Sequence, residues 1–331
     1  RYFPQVTPDL PFVSYWINGV LAALFLFASV AFHELAHSYV AQKYRLTIES
    51  ITLFIFGGVA QLKGDPPHPR AEFWIAIAGP FSSFLLSAFF FILAMITAGG
   101  AKPLFAYLAQ INFIIGVFNL IPGFPMDGGR VLRSALWGKK KDYFYATQKA
   151  SSIGKGIALF FIFFGLFSIF TGGPGGLWLI LVGWFLYSAA QASYQQSTLQ
   201  EILSGIKVKE IMAKEVQTID PSISLNKAVD EYFLRYGYGG FPIIDDGKFL
   251  GILTLKEVKD VPRENWGKVK VSEAYIPHEK RWEISPDADA IKALELMIKE
   301  DKGRIAVTEK DRIIGLITRN GIAQYVQIKG K

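Results

Sequence analysis

The segment "FHELAHS" at residues 32–38 places two histidines and a glutamate near the end of a long apolar run that starts around Tyr15. His33 and His37 are four residues apart, so on a helix both imidazoles lie on one face and can reach one ion. Glu34 lies about 100° around the helix from His33, where its carboxylate can reach a water molecule on that ion. This H-E-x-x-H spacing predicts two zinc ligands and a general base. The alternative is a pair of polar residues lining a helix interface. It is disfavoured because ionisable side chains within a membrane are costly and usually functional.

A catalytic zinc ion usually has three protein ligands and one position open to water. The chain contains no cysteine, so the third ligand must be His, Asp or Glu. Most candidates fall in polar connections or open a helix: Asp9, Glu49, Asp65, His68, Glu72 and Asp142. Asp127 differs because it lies in "FNLIPGFPMDGGR" (residues 118–130), directly after an apolar segment. There Pro122 and Pro125 break the helix, and Gly128 and Gly129 allow a close backbone approach. A broken helix at membrane depth is tolerated where it lines a cavity, so we predict Asp127 as the third ligand.

Apolar residues make up 51% of the chain and are concentrated in its first 200 residues, which contain only seven of the 28 carboxylates. A membrane-spanning helix needs about 20 largely apolar residues. Five segments meet this length: 14–41, 73–97, 104–122, 152–170 and 177–194. Between the first two, "ITLFIFGGVAQLKG" (residues 51–64) is β-branched and aromatic with a Gly-Gly break, which predicts a short hairpin. We therefore expect a membrane-embedded first part and a soluble second part.

Basic residues indicate the orientation, because cytoplasmic loops carry an excess of Lys and Arg. If alternate connections share a side, one side has most of these residues, including "GKKKD" at 138–142, whereas the other has only Arg1 and Lys102. The basic side is expected to face the cytoplasm, together with the C-terminal soluble part. This topology accounts for the net charge of +7 and makes nucleic-acid binding unnecessary as an explanation.

The two motifs "FHELAHS" and "NLIPGFPMDGGR" together resemble those of the site-2 proteases, intramembrane zinc metalloproteases of the M50 type. The resemblance covers about residues 20–200. It implies that His33, His37 and Asp127 bind Zn²⁺ and that Glu34 is the general base. It also implies that Asn119 contacts the substrate or the tetrahedral intermediate.

Two departures from the family pattern accompany this resemblance. In "AGPFSSF" (residues 78–84), Ser83 stands where the family usually has Asn. The family also usually has one more membrane helix before the H-E-x-x-H helix, so one N-terminal helix is expected to be absent from this chain.

A weak internal repeat follows residue 200 and resembles a tandem pair of cystathionine-β-synthase-type (CBS) modules, about 206–262 and 269–328. Such pairs often bind adenine nucleotides through a Gly-x-x-Thr-x-x-Asp pattern. The first copy has Gly251, Thr254 and Glu257 at these positions. The second has Thr318 but Gly321 in place of the acid. The resemblance implies at most one nucleotide site per chain, for ATP, ADP or AMP. It also implies that two chains pair into a homodimer through this module. A purely structural or dimerising module is the alternative.

These observations predict an α-helical polytopic membrane protein of about five helices with a small β-hairpin, followed by a soluble α+β tandem CBS module. The expected domains are residues 1–200 (membrane-embedded metalloprotease), 201–262 (linker and first CBS domain) and 263–331 (second CBS domain). The expected function is zinc-dependent cleavage of transmembrane segments of membrane-protein substrates at the cell membrane, regulated by the cytoplasmic CBS pair. A metal-binding membrane transporter or gate with a nucleotide-sensing module is the alternative, although a transport site does not need Glu34.

Overall fold

The computed structural model of the chain describes residues 2–6, 8, 11–54, 57–246, 248–277, 282–309 and 312–330; for residues 49, 51–54 and 57–63 it describes the backbone alone. The chain divides into two compact units, residues 1–198 and 199–331.

The first unit is mainly helical. Its α-helices are α1 (Tyr2–Val6), α2 (Phe12–Lys43), α3 (Pro69–Ile96), α4 (Lys102–Asn119), α5 (Asp127–Lys140), α6 (Tyr143–Phe170) and α7 (Gly176–Leu203), whose last five residues belong to the second unit. Within the described ranges, α2, α3, α4, α6 and α7 are long and apolar enough to cross a membrane. The prediction of five spanning helices is therefore confirmed.

Helix α6 begins nine residues before the predicted segment 152–170, because its first turns are polar and lower the local hydropathy. The second of its two lysines, Lys155, has two partners on α7. The Lys155 Nζ atom donates to Gln191 Oε1 at 3.2 Å and lies 4.2 Å from the centre of the Tyr194 ring. A charged group in a spanning helix is tolerated when it has such partners.

Local sequence signals explain where the helices around the site begin and end. Helix α3 begins at Pro69, where proline's missing N–H costs nothing, and the His68 side chain accepts a hydrogen bond from the Ala71 N–H. Helix α4 ends at Asn119, just before the two prolines of the loop 120–126. Helix α5 then begins at Asp127 itself. The helix break predicted from Pro122 and Pro125 thus separates α4 from α5.

The predicted hairpin is present after α2. Strands β1 (Thr47–Phe54) and β2 (Gly57–Lys63) pair antiparallel, with Thr52 opposite Val59 and an irregularity between Ile48 and Ser50. Among the described residues these two strands form a two-stranded sheet. Each strand therefore has one edge without a partner strand in this sheet.

Helix α3 is central to the site because it packs against α2, α4 and α5. Its buried residues are mostly small, including Ala71, Ala76, Gly79 and Ser83. Small residues allow helix backbones to approach closely, which is the usual basis of helix packing in a membrane. The outer surfaces of the long helices instead expose Phe, Leu, Ile and Trp side chains.

The second unit contains two copies of a small α+β arrangement. Its elements are α8 (Val208–Ile211), α9 (Leu225–Ala228), α10 (Leu234–Tyr236), β3 (Gly240–Asp245), β4 (Lys248–Thr254), α11 (Leu255–Asp260), β5 (Ile276–Pro277), β6 (Glu283–Ile284), α12 (Ala290–Lys299), β7 (Arg304–Glu309), β8 (Arg312–Thr318) and α13 (Arg319–Lys329). The hairpins β3–β4 and β7–β8 have their register shift at the same relative place. The internal repeat is therefore confirmed.

Each repeat has a parallel pairing of its own, β6 with β7 in the second repeat and a bridge from Ile219 to Ile243 in the first, and a further short segment of each repeat pairs with the other. Strand β5, which leads into the second repeat, pairs with β4 of the first. Ala213, which leads into the first repeat, bridges to Leu316 of β8. The two repeats are thus joined by exchanged strand segments.

Candidate metal centre

Helix α2 places the H-E-x-x-H residues toward the protein interior. His33, Glu34 and His37 are 4%, 8% and 6% exposed, while Phe32 and Leu35 on the other faces are exposed. Burial of three ionisable side chains in an apolar helix is unfavourable without compensating partners. Their surroundings must therefore supply hydrogen bonds or a bound ion.

Asp127 reaches the two histidines because the chain folds tightly around the start of α5. A Cβ atom at Gly128 would lie 2.3 Å from the Leu120 carbonyl oxygen, and one at Gly129 would lie 2.4 Å from the carbonyl carbon of Gly123. Real Cβ atoms essentially never come this close. The two glycines after Asp127 therefore permit the close backbone approach that the sequence predicted.

Three ligand atoms converge at this point. Asp127 Oδ2 lies 3.2 Å from His33 Nε2 and 3.0 Å from His37 Nε2, and the two Nε2 atoms are 3.2 Å apart. Among the described residues this is the one group of three His, Asp or Glu side chains close enough to share a metal ion. Ligand atoms about 2.0–2.1 Å from a tetrahedral zinc ion are about 3.3 Å apart, so the observed spacing fits zinc.

The other ring nitrogens are held by helix α3. His37 Nδ1 lies 2.6 Å from the Ile75 carbonyl oxygen, and His33 Nδ1 lies 2.8 Å from Ser83 Oγ. A carbonyl oxygen can only accept, so His37 Nδ1 must carry the proton and donate. A neutral His37 then directs the lone pair of Nε2 toward Asp127, which is the tautomer that binds a metal.

Gly79 on α3 leaves the space in front of the two imidazoles open. A Cβ atom there would lie 2.1 Å from His37 Nε2 and 2.4 Å from His33 Nε2. Any other residue would fill the place toward which the ligand atoms point. The ligand set, its spacing and this space together fit a zinc ion held by His33, His37 and Asp127.

The other described candidates for the third ligand have different partners. His68 caps α3, and Asp142 caps α6 by accepting from the Tyr145 N–H. Asp65 accepts a hydrogen bond from the Tyr143 hydroxyl at 2.9 Å, and Glu72 pairs with Arg133. Asp9 and the Glu49 side chain lie outside the described part of the chain.

Sequence reasoning missed several residues that support this centre. Ser83 stands where the family usually has Asn, and its hydroxyl lies within hydrogen-bond distance of His33 Nδ1. The sequence motifs did not point to Ile75, which acts through its backbone carbonyl, or to Gly79, which acts through the absence of a side chain. A spacing signal did exist, because Glu72, Ile75, Gly79 and Ser83 recur at three to four residues and so share one face of α3.

Asn119 is the last residue of α4, and its side chain is half-buried. Its Nδ2 atom donates to the Ile115 carbonyl oxygen of the same helix at 3.1 Å. A contact of Asn119 with substrate stays a prediction.

The predicted nucleotide-contacting residues lie at corresponding places in the two repeats. Thr254 precedes α11 as its N-cap, and Glu257 folds back to accept hydrogen bonds from the Thr254 N–H and hydroxyl. Thr318 caps α13 and accepts from the Gly321 N–H at 3.0 Å. Gly251 has a packing reason to be glycine, since a Cβ atom there would lie 2.1 Å from the Ile276 carbonyl oxygen.

Arg304 of the second repeat also reaches this part of the first repeat. Its Nη1 atom donates to the Gly240 carbonyl oxygen at 2.6 Å. Burial lowers the pKa of the Arg304 guanidinium, and the negative charge of Glu257 opposes that shift. This contact could not be predicted from local sequence patterns, because it depends on how the two repeats pack.

Comparisons with known proteins agree with this geometry. The sequence profile of peptidase family M50 matches residues 21–100 and 95–165, and that of the CBS domain matches 208–264 and 277–328. Rip3 of Mycobacterium tuberculosis is 33% identical over 333 residues, which cover 98% of this chain and 85% of that protein. Zinc metalloprotease MJ0392 of Methanocaldococcus jannaschii is 35% identical over 308 residues, covering 92% of this chain and 84% of that protein.

A solved structure titled as a site-2 protease from Methanocaldococcus jannaschii is 38% identical, with a TM-score of 0.44, and covers 58% of this chain and 82% of that one. The profile match and the near full-length relatives assign the family. The chain belongs to peptidase family M50, the site-2 protease family of zinc metalloproteases, and is a multi-pass membrane protein with a C-terminal pair of CBS domains.

Proposed function

We propose that this chain is an intramembrane zinc endopeptidase that cuts transmembrane segments of membrane-protein substrates. His33, His37 and Asp127 hold the zinc ion, and Glu34 is the general base. The observation that carries this proposal is the convergence of two Nε2 atoms and one carboxylate oxygen within 3.2 Å of one another. With lone pairs directed inward, such a group is electrostatically unfavourable unless a cation or a proton lies among its atoms.

The proposed chemistry divides between the metal and Glu34. When bound, zinc supplies Lewis-acid chemistry, which polarises a carbonyl and lowers the pKa of water toward about 7. Glu34 accepts the proton of the attacking water and returns it to the leaving amine. Its place beside His33 and its burial on α2 suit a group that must act within reach of the metal ligands. Asn119 is proposed to contact the substrate or the tetrahedral intermediate.

The substrate must unwind before it is cut, because the peptide bonds of a membrane helix are hydrogen-bonded within that helix. An exposed strand edge offsets part of this cost by pairing with the extended peptide. The β1–β2 hairpin follows α2, and each of its strands has one edge without a partner strand in its two-stranded sheet. His37 lies six residues, or about 9 Å, before the last residue of α2. The centre is therefore proposed to lie toward one membrane surface, the cytoplasmic one by the distribution of basic residues.

The CBS pair is proposed to face the cytoplasm and to regulate proteolysis by binding ATP, ADP or AMP. Thr254 and Glu257 would contact the ribose. Gly251 belongs to the same pattern in the first repeat, and Thr318 is its threonine in the second repeat. The guanidinium of Arg304 supplies a positive charge next to Glu257 that suits a phosphate group. Association of two chains through this module is also proposed. A bound nucleotide alters proteolysis only to the extent that its affinity differs between the active and inactive arrangements.

The direct test is cleavage of a membrane-helix substrate by purified, zinc-loaded protein. The Glu34→Gln variant is isosteric and removes only the base, so it is expected to keep zinc and to lose cleavage by at least about 100-fold, the lower limit for a positioned general base. A Glu34→Gln variant that cuts as fast as the parent would contradict the proposal and favour a transport role for the centre.

A further inference from the structure

A buried ion pair connects α3 with α5 beside the metal centre. Glu72 on α3 is completely buried. Arg133 on α5 donates from Nε to Glu72 Oε1 at 2.6 Å, and its Nη2 atom also contacts that oxygen. The second carboxylate oxygen, Oε2, has no hydrogen-bond partner in the described part of the chain. The charge of Glu72 is therefore compensated mainly through Arg133.

The same guanidinium contacts two further elements. It lies 5.0 Å from the centre of the Phe124 ring in the loop 120–126 and 4.7 Å from that of Tyr143 at the start of α6. Its Nη1 atom donates to Thr147 Oγ1 at 3.4 Å. We call Glu72, Phe124, Arg133, Tyr143 and Thr147 the Arg133 clamp. The planar guanidinium suits this place, because arginine can bind a carboxylate in its plane and stack on aromatic faces.

The clamp joins two elements that contribute to the metal centre independently. Helix α3 supports both imidazoles through Ile75 and Ser83. Asp127 belongs to α5 and approaches the imidazoles from the other side. The position of Asp127 relative to the histidines is thus set by how α5 lies against α3. Among polar contacts of described side chains, the Glu72–Arg133 pair is the one that connects these two helices.

We propose that Arg133 and Glu72 are positioning residues that hold the start of α5 against α3 and so fix Asp127 at the distance zinc binding requires. This inference rests on the proposed zinc centre and adds residues that touch neither the metal nor the substrate. The competing explanation is a purely structural ion pair, which would affect the stability of the fold and leave the zinc affinity of the folded protein unchanged.

The zinc dissociation constant of the detergent-solubilised full chain, measured by competition with a chelator, separates these explanations. Arg133→Gln leaves Glu72 buried without its counter-charge, so α5 should shift, and we expect zinc affinity to fall about 10–100-fold, as for other groups that orient metal ligands. Arg133→Lys keeps the charge but loses the planar contacts, and a smaller loss is expected. Glu72→Gln combined with Arg133→Gln removes both charges and should bind zinc more tightly than Arg133→Gln alone.

Lys140→Gln is the matched control, because Lys140 is an exposed cation on the same helix and should bind zinc like the parent. Circular dichroism of each variant establishes that it is folded. Cobalt absorption provides a second readout, since a shifted Asp127 should alter the ligand-field spectrum of Co²⁺ in this cysteine-free chain.

The outcomes are distinct. Zinc affinity equal to that of the parent in folded Arg133→Gln would overturn the positioning role and leave the proposed protease centre standing. If Arg133→Gln does not fold, parental affinity and an unchanged cobalt spectrum in Arg133→Lys would overturn it. Absence of zinc binding by the parent itself would refute the proposed centre and the inference that rests on it.

Discussion

Replacing Gly79 by alanine should abolish tight zinc binding while leaving the fold intact. The new Cβ atom would lie 2.1 Å from His37 Nε2. Ordinary contact begins at 3.4 Å, so the imidazole and the α3 backbone would have to separate by about 1.3 Å. Metal sites tolerate deviations of only about 0.2 Å in ligand distance. Both histidines are affected, because His33 Nε2 would be 2.4 Å away.

We expect zinc affinity to fall at least about 100-fold, or about 2.7 kcal/mol, in Gly79→Ala. Helix propensity acts in the opposite direction, because alanine is favoured over glycine in a helix by about 0.5–1 kcal/mol. A general loss of folding is therefore not the expected cause. The assay is chelator competition for zinc, combined with thermal unfolding of the metal-free protein. Gly156→Ala is the matched control, since nothing lies within 4 Å of a Cβ atom at Gly156. Parental zinc affinity in Gly79→Ala would refute the reasoning.

Three further predictions concern the support of the centre, the hairpin and the CBS pair. Ser83→Ala should weaken zinc binding about 10-fold by removing the partner of His33 Nδ1. Ser82→Ala is the control and should not weaken it, because the Ser82 hydroxyl donates to the Gly79 carbonyl oxygen and not to an imidazole. Chelator competition compares the two variants, and equal zinc affinities would contradict the role of Ser83. Val59→Pro should reduce cleavage, because proline cannot donate to a strand ladder, and it should leave zinc binding unchanged. Val59→Ala is the control. Cleavage unchanged by the proline would leave the hairpin with a structural role only. Titration calorimetry of the full chain with ATP, ADP and AMP should show at most one site per chain; two equal sites would contradict the inference drawn from Gly321, and no heat with any of them would leave a dimerising module.

The spanning helices and the candidate metal ligands could be predicted from local sequence patterns. Hydropathy located the five spanning helices, and the i, i+4 spacing placed His33 and His37 on one face of α2. Asp127 was found because two prolines and two glycines around an acid mark a break in an apolar segment. The predicted spanning segment 152–170 lies within α6, and the nine residues by which the helix extends before it are polar and were not predicted as helix.

The remaining features depend on how distant segments pack. The contacts of Ile75 and Ser83 with the imidazoles require a specific register of α3 against α2, which hydropathy does not encode. Glu72 looked like one of several candidate ligands until its pairing with Arg133, 61 residues away, was visible. The pairing of β5 with β4 and of Ala213 with Leu316 across the CBS repeats also left no signal in the sequence, because each repeat has a complete pattern of its own.

The most direct test of the account is the zinc content of the purified full chain and of its Asp127→Ala variant, measured by elemental analysis after dialysis against a weak chelator. The parent is expected to hold one zinc ion per chain and Asp127→Ala to lose most of it, since two histidines alone leave the metal with too few protein ligands. Full zinc content in Asp127→Ala would contradict the assignment of His33, His37 and Asp127 as the metal centre.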